Sequence, residues 1–366
     1  MGRALVFSQA GQPFSVEQLD VAPPKENEIR VRIAASGVCH SDLHGYEAGA
    51  PTMLKPLVFG HEAAGEVLEL GPGVTGFEVG DHIVLGVFPQ CGVCTYCTDG
   101  HPTLCVEGRK TAAGTLIDGT TRYSLGGQPV GQLAGLGCWS EETVISTLQA
   151  VRIDKDMPLT SAALLGCGVV TGFGAVVNVA RVGPGETMAV VGCGGLGLSA
   201  IQAGRIAGAE RIIAVDVRAG KLDLAKKVGA TDLVDSSAGD AVQQVQELTG
   251  GHGTNFSFDF VGMASTARDT LSMIRRGGTA VLTGLAQPTF EFSINELIRA
   301  GRTIKGNLMG MGWFRDDFPR LVELYQDGSL MLDELVSQRL DLSEVDVAFK
   351  AMSEGDVARS VFVMQD

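Results

Sequence analysis

What the chain lacks narrows it first. It has no run of lysines or arginines: 28 basic residues face 42 acidic ones, giving a formal net charge of −14 and a sequence pI of about 4.9. A surface of that sign argues against nucleic acid and anionic membrane as partners, yet leaves room for one anionic ligand in a local pocket. The first twenty residues, MGRALVFSQAGQPFSVEQLD, contain no long apolar core and no small-residue cleavage site. No secretory leader is expected, and the compartment is read as cytoplasmic and reducing. Residues 157–180 carry no charge and resemble a membrane span in length, but Gly166, Gly168, Gly172, Gly174 and Asn178 dilute their hydrophobicity. A buried helix joining two domains is the expectation there.

What is present points to an α/β protein with metal sites. A chain of 366 residues suggests two domains. Its 45% hydrophobic content supplies sizeable cores, and fifty glycines imply many tight turns and close backbone approaches. Four of the eight cysteines fall in CGVCTYCTDGHPTLC, at Cys91, Cys94, Cys97 and Cys105. In a reducing compartment such a cluster reads as metal ligands before disulfides. Thiolates two residues apart on a turning loop converge on one small ion, and a closed four-sulfur set is the pattern of a structural zinc. The ferredoxin run that ends with x3 and then Cys-Pro does not match.

A dinucleotide site is legible further on. The apolar strand Met188–Val191 runs into Gly192-x-Gly194-Gly195-x-Gly197, and a helix-like segment follows. In that context the first glycine permits the tight turn, the second the approach of a pyrophosphate, and the third close helix–strand packing. The phosphates then lie on the helix N-terminus. The next strand ends at Asp216, nineteen residues past Gly197, where a carboxylate accepts from ribose hydroxyls and repels a 2′-phosphate. NAD is therefore expected over NADP, with Arg218 two residues on as a feature that softens the preference. Strands DLVD (232–235), FSFDFVG (256–262) and TAVLTGL (279–285) alternate with helix-like stretches, one of them TARDTLSMIRRGG closed by Gly277 and Gly278. The alternation predicts a doubly wound parallel sheet over 168–308.

A second group of ligand types is scattered: Cys39 in GVCHSDLH, His61 and Glu62 in GHEAAGEVLELGPGV, and Cys167 in LLGCGVVTGFG. From spacing alone each is equally a core residue, and nothing joins them. The segment Gly60-His61-Glu62-x2-Gly65-x5-Gly71-x2-Val74, however, resembles the zinc-containing alcohol dehydrogenases of the medium-chain dehydrogenase/reductase family, and the likeness covers nearly the whole chain.

The resemblance implies a mainly β GroES-like catalytic domain over 1–167 and 309–366, carrying the structural zinc lobe, and an NAD-binding Rossmann domain over 168–308, with the active site in the cleft. It implies two zinc ions per subunit: a catalytic one on Cys39, His61 and Cys167, with one position open, and a structural one on the Cys91–Cys105 set. By the same likeness Asp42 hydrogen-bonds the ligand His61, Glu62 approaches the metal during ligand exchange, and Ser41 and His44 relay the alcohol proton. Lys221 reaches the adenosine ribose and Arg359 faces the pyrophosphate. His40 stands where the animal enzymes often carry arginine, so weaker phosphate contact and faster NADH release are expected. Val87, Trp139, Leu285 and Leu308 match an apolar substrate pocket. The long segment after Cys105, with its Asp118-Gly-Thr-x-Arg122 run, resembles that of the animal and formaldehyde-oxidising members and favours a homodimer. The function implied is hydride transfer between NAD and a primary or otherwise apolar alcohol, aliphatic, allylic or benzylic. The alternatives are oxidation of a glutathione or mycothiol adduct of formaldehyde, and a chiefly reductive role on aldehydes or ketones.

Overall fold

The computed structural model describes residues 1–285, 289–355 and 357–364. It contains two compact units. The first takes the chain up to Cys167 and again from Gly312; the second is Gly168–Met311, so its far boundary falls after Met311 rather than after residue 308.

The first unit is mainly β. Strands Gly2–Phe7, Ser15–Val21, Tyr123–Leu125, Gln128–Gln132 and Leu57–Val58 close a barrel. A seven-stranded sheet is organised around β1 (Glu28–Val38), which pairs antiparallel with β2 (Ala63–Leu70), with Glu142–Ser146 and with Arg359–Val363. Alternation along β1 sets its two faces. Val31 and Ile33 are fully buried, while Arg32 points outward and donates to Glu66, its direct cross-strand partner, at 3.0 Å. After Ile33 the alternation gives way to near-continuous burial, and there the strand delivers the chain to Cys39 and to α1 (His40–Glu47).

The segment between Cys105 and Cys138 is tied down by charge. Arg122 and Glu28 are both almost wholly buried and form a bidentate pair, with Arg122 Nε 2.8 Å from Glu28 Oε2. Asp118 receives Arg122 Nη2 and Lys25 Nζ, each at 2.9 Å, and its other oxygen caps Thr120. Tyr123 anchors the same segment from within: its buried hydroxyl lies 2.7 Å from Ser140 Oγ and 3.0 Å from the Gly137 carbonyl. The DGT-x-R run is thus a clamp onto the start of β1.

The second unit is a six-stranded, wholly parallel sheet. In chain order its strands are β3 (Thr187–Val191), β4 (Arg211–Asp216), β5 (Asp232–Asp235), β6 (Thr254–Asp259), β7 (Ile274–Leu282) and β8 (Thr303–Gly306). In space they run β5-β4-β3-β6-β7-β8, so the order reverses beside β3, the point at which a doubly wound sheet opens a crevice. Helix α2 (Gly195–Ile206) follows β3, and α3 (Ala219–Val228) follows β4. One boundary differs from the sequence reading. The helix expected to run to Gly277 ends at Met273, and strand begins at Ile274. Ile274 is fully buried in a cluster with Leu271 and Ala280, so burial against the sheet outweighs the helical pattern. The uncharged stretch 157–180 is interrupted at Cys167, and among the described residues no single helix is long and apolar enough to cross a membrane.

Replacing Arg122 by methionine leaves Glu28 as an unpaired buried carboxylate. We expect a loss of about 3–5 kcal/mol, read as a lowered urea midpoint of the first unit, whereas Lys25→Ala on the exposed side costs about 1 kcal/mol or less. The pH dependence has a definite sign. Against the burial that would raise it, hydrogen bonds from Lys25, Thr120 and Arg122 hold Asp118 well below the usual carboxylate range. Its contribution is therefore complete above about pH 4 and is lost as pH falls towards the folded value; Asp118→Asn should remove that part of the acid transition.

Candidate active site and metal centres

Every residue expected at the catalytic metal and its proton relay except Ser41 and His44 is buried, and all lie in the first unit. Cys39 occupies the turn between β1 and α1, where extended backbone hands over to helix. His61 lies between the Leu57–Val58 strand and β2, and Cys167 follows the short turn Leu164–Gly166. The candidate ligand atoms of Cys39, His61 and Cys167 all fall within 4.8 Å of one another. The sequence could not bring these three together; the sheet does, because β1 and β2 are neighbours and their site ends are adjacent in register, Ser36 opposite Ala63.

Asp42 sets the geometry. It is fully buried at the third position of α1; one carboxylate oxygen accepts the Cys39 N–H at 3.0 Å, and the other lies 3.1 Å from His61 Nδ1. One side chain therefore fixes both the turn that carries one ligand and the ring of another. With Nδ1 engaged, Nε2 is directed to the cluster, and Ser41 Oγ stands 3.1 Å from it. Burial works to lower the pKa of His61, but the charge and hydrogen bond of Asp42, with the sulfur of Cys39, raise it well above its ordinary value. Cys39 is held well below the usual thiol range, first by the hydrogen bond from Cys167 and then by His61 and Arg359. A stabilised thiolate beside an oriented imidazole is the donor chemistry zinc takes.

Glu62 and Arg359 complete the buried charge. Both are nearly or fully withdrawn from solvent, with Arg359 Nε 3.8 Å from Glu62 Oε1. The sequence reading assigned Arg359 to a pyrophosphate; its guanidinium faces Glu62 and the Cys39 sulfur, a partnership that no local motif announces. Gly37 makes room for this: a Cβ there would lie 2.5 Å from Glu62 Oε1.

The four-cysteine loop is equally well formed. The Cys91–Cys97 and Cys94–Cys105 sulfurs are 4.0 and 3.9 Å apart, and all four lie within 4.8 Å. Four thiolates about 2.3 Å from a tetrahedral zinc are separated by roughly 3.8 Å, so the cluster has the dimensions of a closed site. Backbone N–H groups point inward, Cys94 N to Cys91 Sγ and Cys91 N to Cys105 Sγ, each at 3.4 Å. The N–H groups of Val106 and Cys97 bring the Cys94 thiol down to about 6.

The second unit carries the expected dinucleotide elements. Gly194 opens α2, with open space where a side chain would stand, and a Cβ at Gly197 would lie 1.9 Å from the Gly192 carbonyl. The first turn of α2 holds no acidic residue and presents N–H groups without intrahelical acceptors, the setting an anion requires. Asp216, nearly buried at the end of β4, accepts the Cys193 N–H at 2.7 Å and the Arg218 N–H at 3.0 Å. It braces the glycine loop. Lys221 is half-buried in the first turn of α3.

The pocket residues divide. Val87 is nearly buried in the first unit; Leu285 and Leu308 belong to the second, where Leu285 is 77% exposed and Leu308 half-buried. Trp139 requires a correction. It is fully buried in the core of the first unit, with Phe14, Phe59, Phe349 and Phe362 rings at 5.3–5.9 Å, and its Nε1 donates to the Gly37 carbonyl at 3.4 Å. Gly60, at φ +90, packs against the indole so closely that a Cβ would meet it at 2.4 Å. This aromatic supports the floor of the site and presents no open face to a substrate. Cys138 and Cys193, without a role in the sequence reading, are fully buried, and burial pushes both thiols up.

Comparison with known proteins agrees on family. A family model described as an alcohol dehydrogenase GroES-like domain matches residues 25–155, and one described as a zinc-binding dehydrogenase matches residues 195–327. An NDMA-dependent alcohol dehydrogenase of Amycolatopsis methanolica is 38% identical over 366 residues, covering 99% of this chain and 98% of its own. An S-(hydroxymethyl)glutathione dehydrogenase of Synechocystis is also 38% identical, covering 98% of each. Among solved structures, benzyl alcohol dehydrogenase from Acinetobacter calcoaceticus superposes with a TM-score of 0.93 at 31% identity, covering 100% of this chain and 99% of its own.

Asp42→Asn tests the construction of the site. It keeps the volume but removes the charge that orients His61, and a loss of about 10–100-fold in affinity for one of the two zinc ions is expected. Chelator competition followed by metal analysis reads this directly, with the four-cysteine zinc as the internal control.

Proposed function

Since the chain belongs to the zinc-containing alcohol dehydrogenases of the medium-chain dehydrogenase/reductase family, we propose that it oxidises a primary, apolar alcohol, aliphatic, allylic or benzylic, to the aldehyde, and reduces the aldehyde in return. It is an NAD-dependent oxidoreductase with two zinc sites. The observation that carries the reading is the buried Cys39–His61–Cys167 cluster with the Ser41 hydroxyl 3.1 Å from His61 Nε2. When bound, zinc supplies a Lewis acid for the alcohol oxygen and NAD a hydride acceptor. The chain supplies position and proton movement. Ser41 takes the hydroxyl proton, and His44, one turn on and half-buried, passes it to solvent. Asp42 holds His61 in the tautomer that offers Nε2, and Glu62 with Arg359 balances charge behind the ligands. His40 acts on the cofactor phosphates, Asp216 and Lys221 on its adenosine ribose.

Apolar substrates are favoured by the character of Val87, Leu285 and Leu308 and by the likeness to a benzyl alcohol dehydrogenase. The likeness to an S-(hydroxymethyl)glutathione dehydrogenase supports a second reading, oxidation of a thiol adduct of formaldehyde. Six of the eight thiols serve as metal ligands, which suits a reducing, cytoplasmic compartment. A homodimer is supported by the second unit: β8 ends its sheet, and Leu285, Ile294 and Ile298 are 66–77% exposed around it.

The deciding experiment is NADH formation from benzyl alcohol, hexanol and S-hydroxymethylglutathione. We expect the two apolar alcohols to give the higher kcat/KM; a preference for the glutathione adduct transfers the function to the second reading. For the relay, His44→Gln should slow oxidation at pH 7 on the order of tenfold, below the effect of a base that touches the reacting atom. The deficit should shrink towards pH 9, where solvent takes the proton unaided; an equal loss at both pH values removes His44 from the relay.

A further inference from the structure

Asp216 braces the Gly192 turn from one side, and a second buried carboxylate stands on the other. Asp259 ends β6, the strand beside β3 where the order reverses, and it is 1% exposed. In the sheet it pairs with Val191 on one side and Leu282 on the other, so the turn after it emerges next to the Gly192 turn. Its carboxylate reaches back to that following turn. Oδ1 accepts the Val261 N–H at 3.0 Å and the Gly262 N–H at 3.2 Å, and Oδ2 lies 3.3 Å from the same Gly262 nitrogen. Its backbone carbonyl accepts from Thr283 and Gly284, beyond β7, at 3.0 and 3.2 Å, and the Phe260 N–H donates to Val191 at 3.0 Å. Residues 260–262 are thereby held among the ends of three strands. The fit is close on both sides. A Cβ on Gly192 would lie 2.7 Å from Val261 Cγ2, and one on Gly284 would lie 2.2 Å from the Gly262 nitrogen. Burial pushes the Asp259 carboxyl up, opposed by the N–H groups of Val261 and Gly262 and the Thr266 hydroxyl.

We propose that Asp259 is a positioning residue for NAD: it holds residues 260–262 as a fixed wall beside the Gly192 turn, so that the crevice at the switch point keeps its opening. The two acids act alike. Asp216 secures the Gly192 turn through the Cys193 N–H, and Asp259 secures the neighbouring turn through two N–H groups. The glycine fingerprint does not mark Asp259, because its partners are backbone groups two and three residues on. Its effect is pre-organisation. Without that acceptor the turn samples shifted positions. Since Val261 packs onto Gly192, a shift towards it narrows the crevice, and a shift away removes the wall. Apparent affinity then falls by the fraction of molecules in the binding-competent arrangement. Charge works in the opposite direction. A carboxylate near a bound pyrophosphate repels it, so neutralising Asp259 would by itself tighten the cofactor. The two effects differ in sign, and a single neutral variant separates them.

The test is NADH fluorescence titration of the holoenzyme with its two zinc ions. Asp259→Asn keeps the volume and one acceptor oxygen, and Asp259→Ala removes both oxygens. A net hydrogen bond amounts to about 2–10-fold in an equilibrium. The NADH dissociation constant should therefore rise about 3–10-fold in Asp259→Asn and about tenfold or more in Asp259→Ala. KM for NAD should rise in step, while kcat at saturating NAD holds or rises, because a looser product leaves sooner. A role confined to stability would lower the urea midpoint and leave the NADH affinity of the folded protein unmoved. Asp235→Asn is the control: Asp235 accepts the Ser237 N–H at 2.9 Å after β5, at the outer end of the sheet, and its loss should not change NADH affinity. Where Asp259→Ala fails to fold, Asp259→Asn carries the comparison. Unchanged or tighter NADH binding in folded Asp259→Asn overturns the proposal, as does a fall in kcat with KM for NAD unmoved. The inference rests on NAD occupying this crevice. A native protein with no NADH affinity overturns both readings, whereas native-like affinity in Asp259→Asn overturns this one alone.

Discussion

A buried charge must be answered on every side, and in this protein that requirement builds the site. Asp42 has no contact with solvent, so leaving either oxygen unpartnered would carry a desolvation cost that the fold has to avoid. Its two partners are the Cys39 amide and the His61 ring. Satisfying one carboxylate therefore also sets the backbone that carries one metal ligand and the orientation of a second. The demand is reciprocal. An imidazole enclosed by β1, β2 and α1 needs a partner at Nδ1, and Asp42 is placed to meet it.

The same requirement extends outward in layers. Glu62 and Arg359 are buried together behind the ligands, and Gly37 is the residue that leaves space for the carboxylate. At the other end of β1, Glu28 is buried and meets Arg122. A buried ion pair contributes little net stability against an apolar replacement, yet losing one partner is costly. Here one ties the return strand Arg359–Val363 to the residue before β2, and the other ties the long segment after Cys105 to the start of β1. Because Cys39, His61, Cys167, Asp42, Glu62 and Arg359 all belong to one compact unit, their mutual distances are set by that unit alone.

Legibility in the sequence followed locality. The four-cysteine loop and the Gly192–Gly197 turn with Asp216 are contiguous motifs whose chemistry depends on spacing, and they could be read directly. That the second unit is a parallel sheet followed from alternating strand and helix patterns. Cys39, His61 and Cys167 are different in kind: no periodicity links positions so far apart, and only a family likeness joined them before the fold did. The partnership of Arg359 with Glu62 was invisible for the same reason, since it arises where the last strand pairs with β1. Trp139 misled because an aromatic near a site reads equally as pocket wall or core, and burial decides between them. The helix drawn as far as Gly277 was shortened by Ile274, whose place in the sheet outweighs local pattern.

Helix α1 shows how much chemistry one turn and a half can separate by angle alone. Successive residues on a helix point about 100° apart. Cys39 at its mouth and Asp42 in its first turn face inward and are buried, while His40 and Ser41 between them are exposed. His44 returns to the azimuth of His40 one turn later, which is why those rings meet. A stretch of six residues thus presents a ligand and its orienting acid to the interior, and a hydroxyl and two imidazoles towards solvent. The division depends on the helix beginning at Cys39. A start displaced by one residue would rotate Asp42 away from His61 and expose it, so the Asp42–Cys39 cap that fixes the start also keeps the inner and outer chemistries apart.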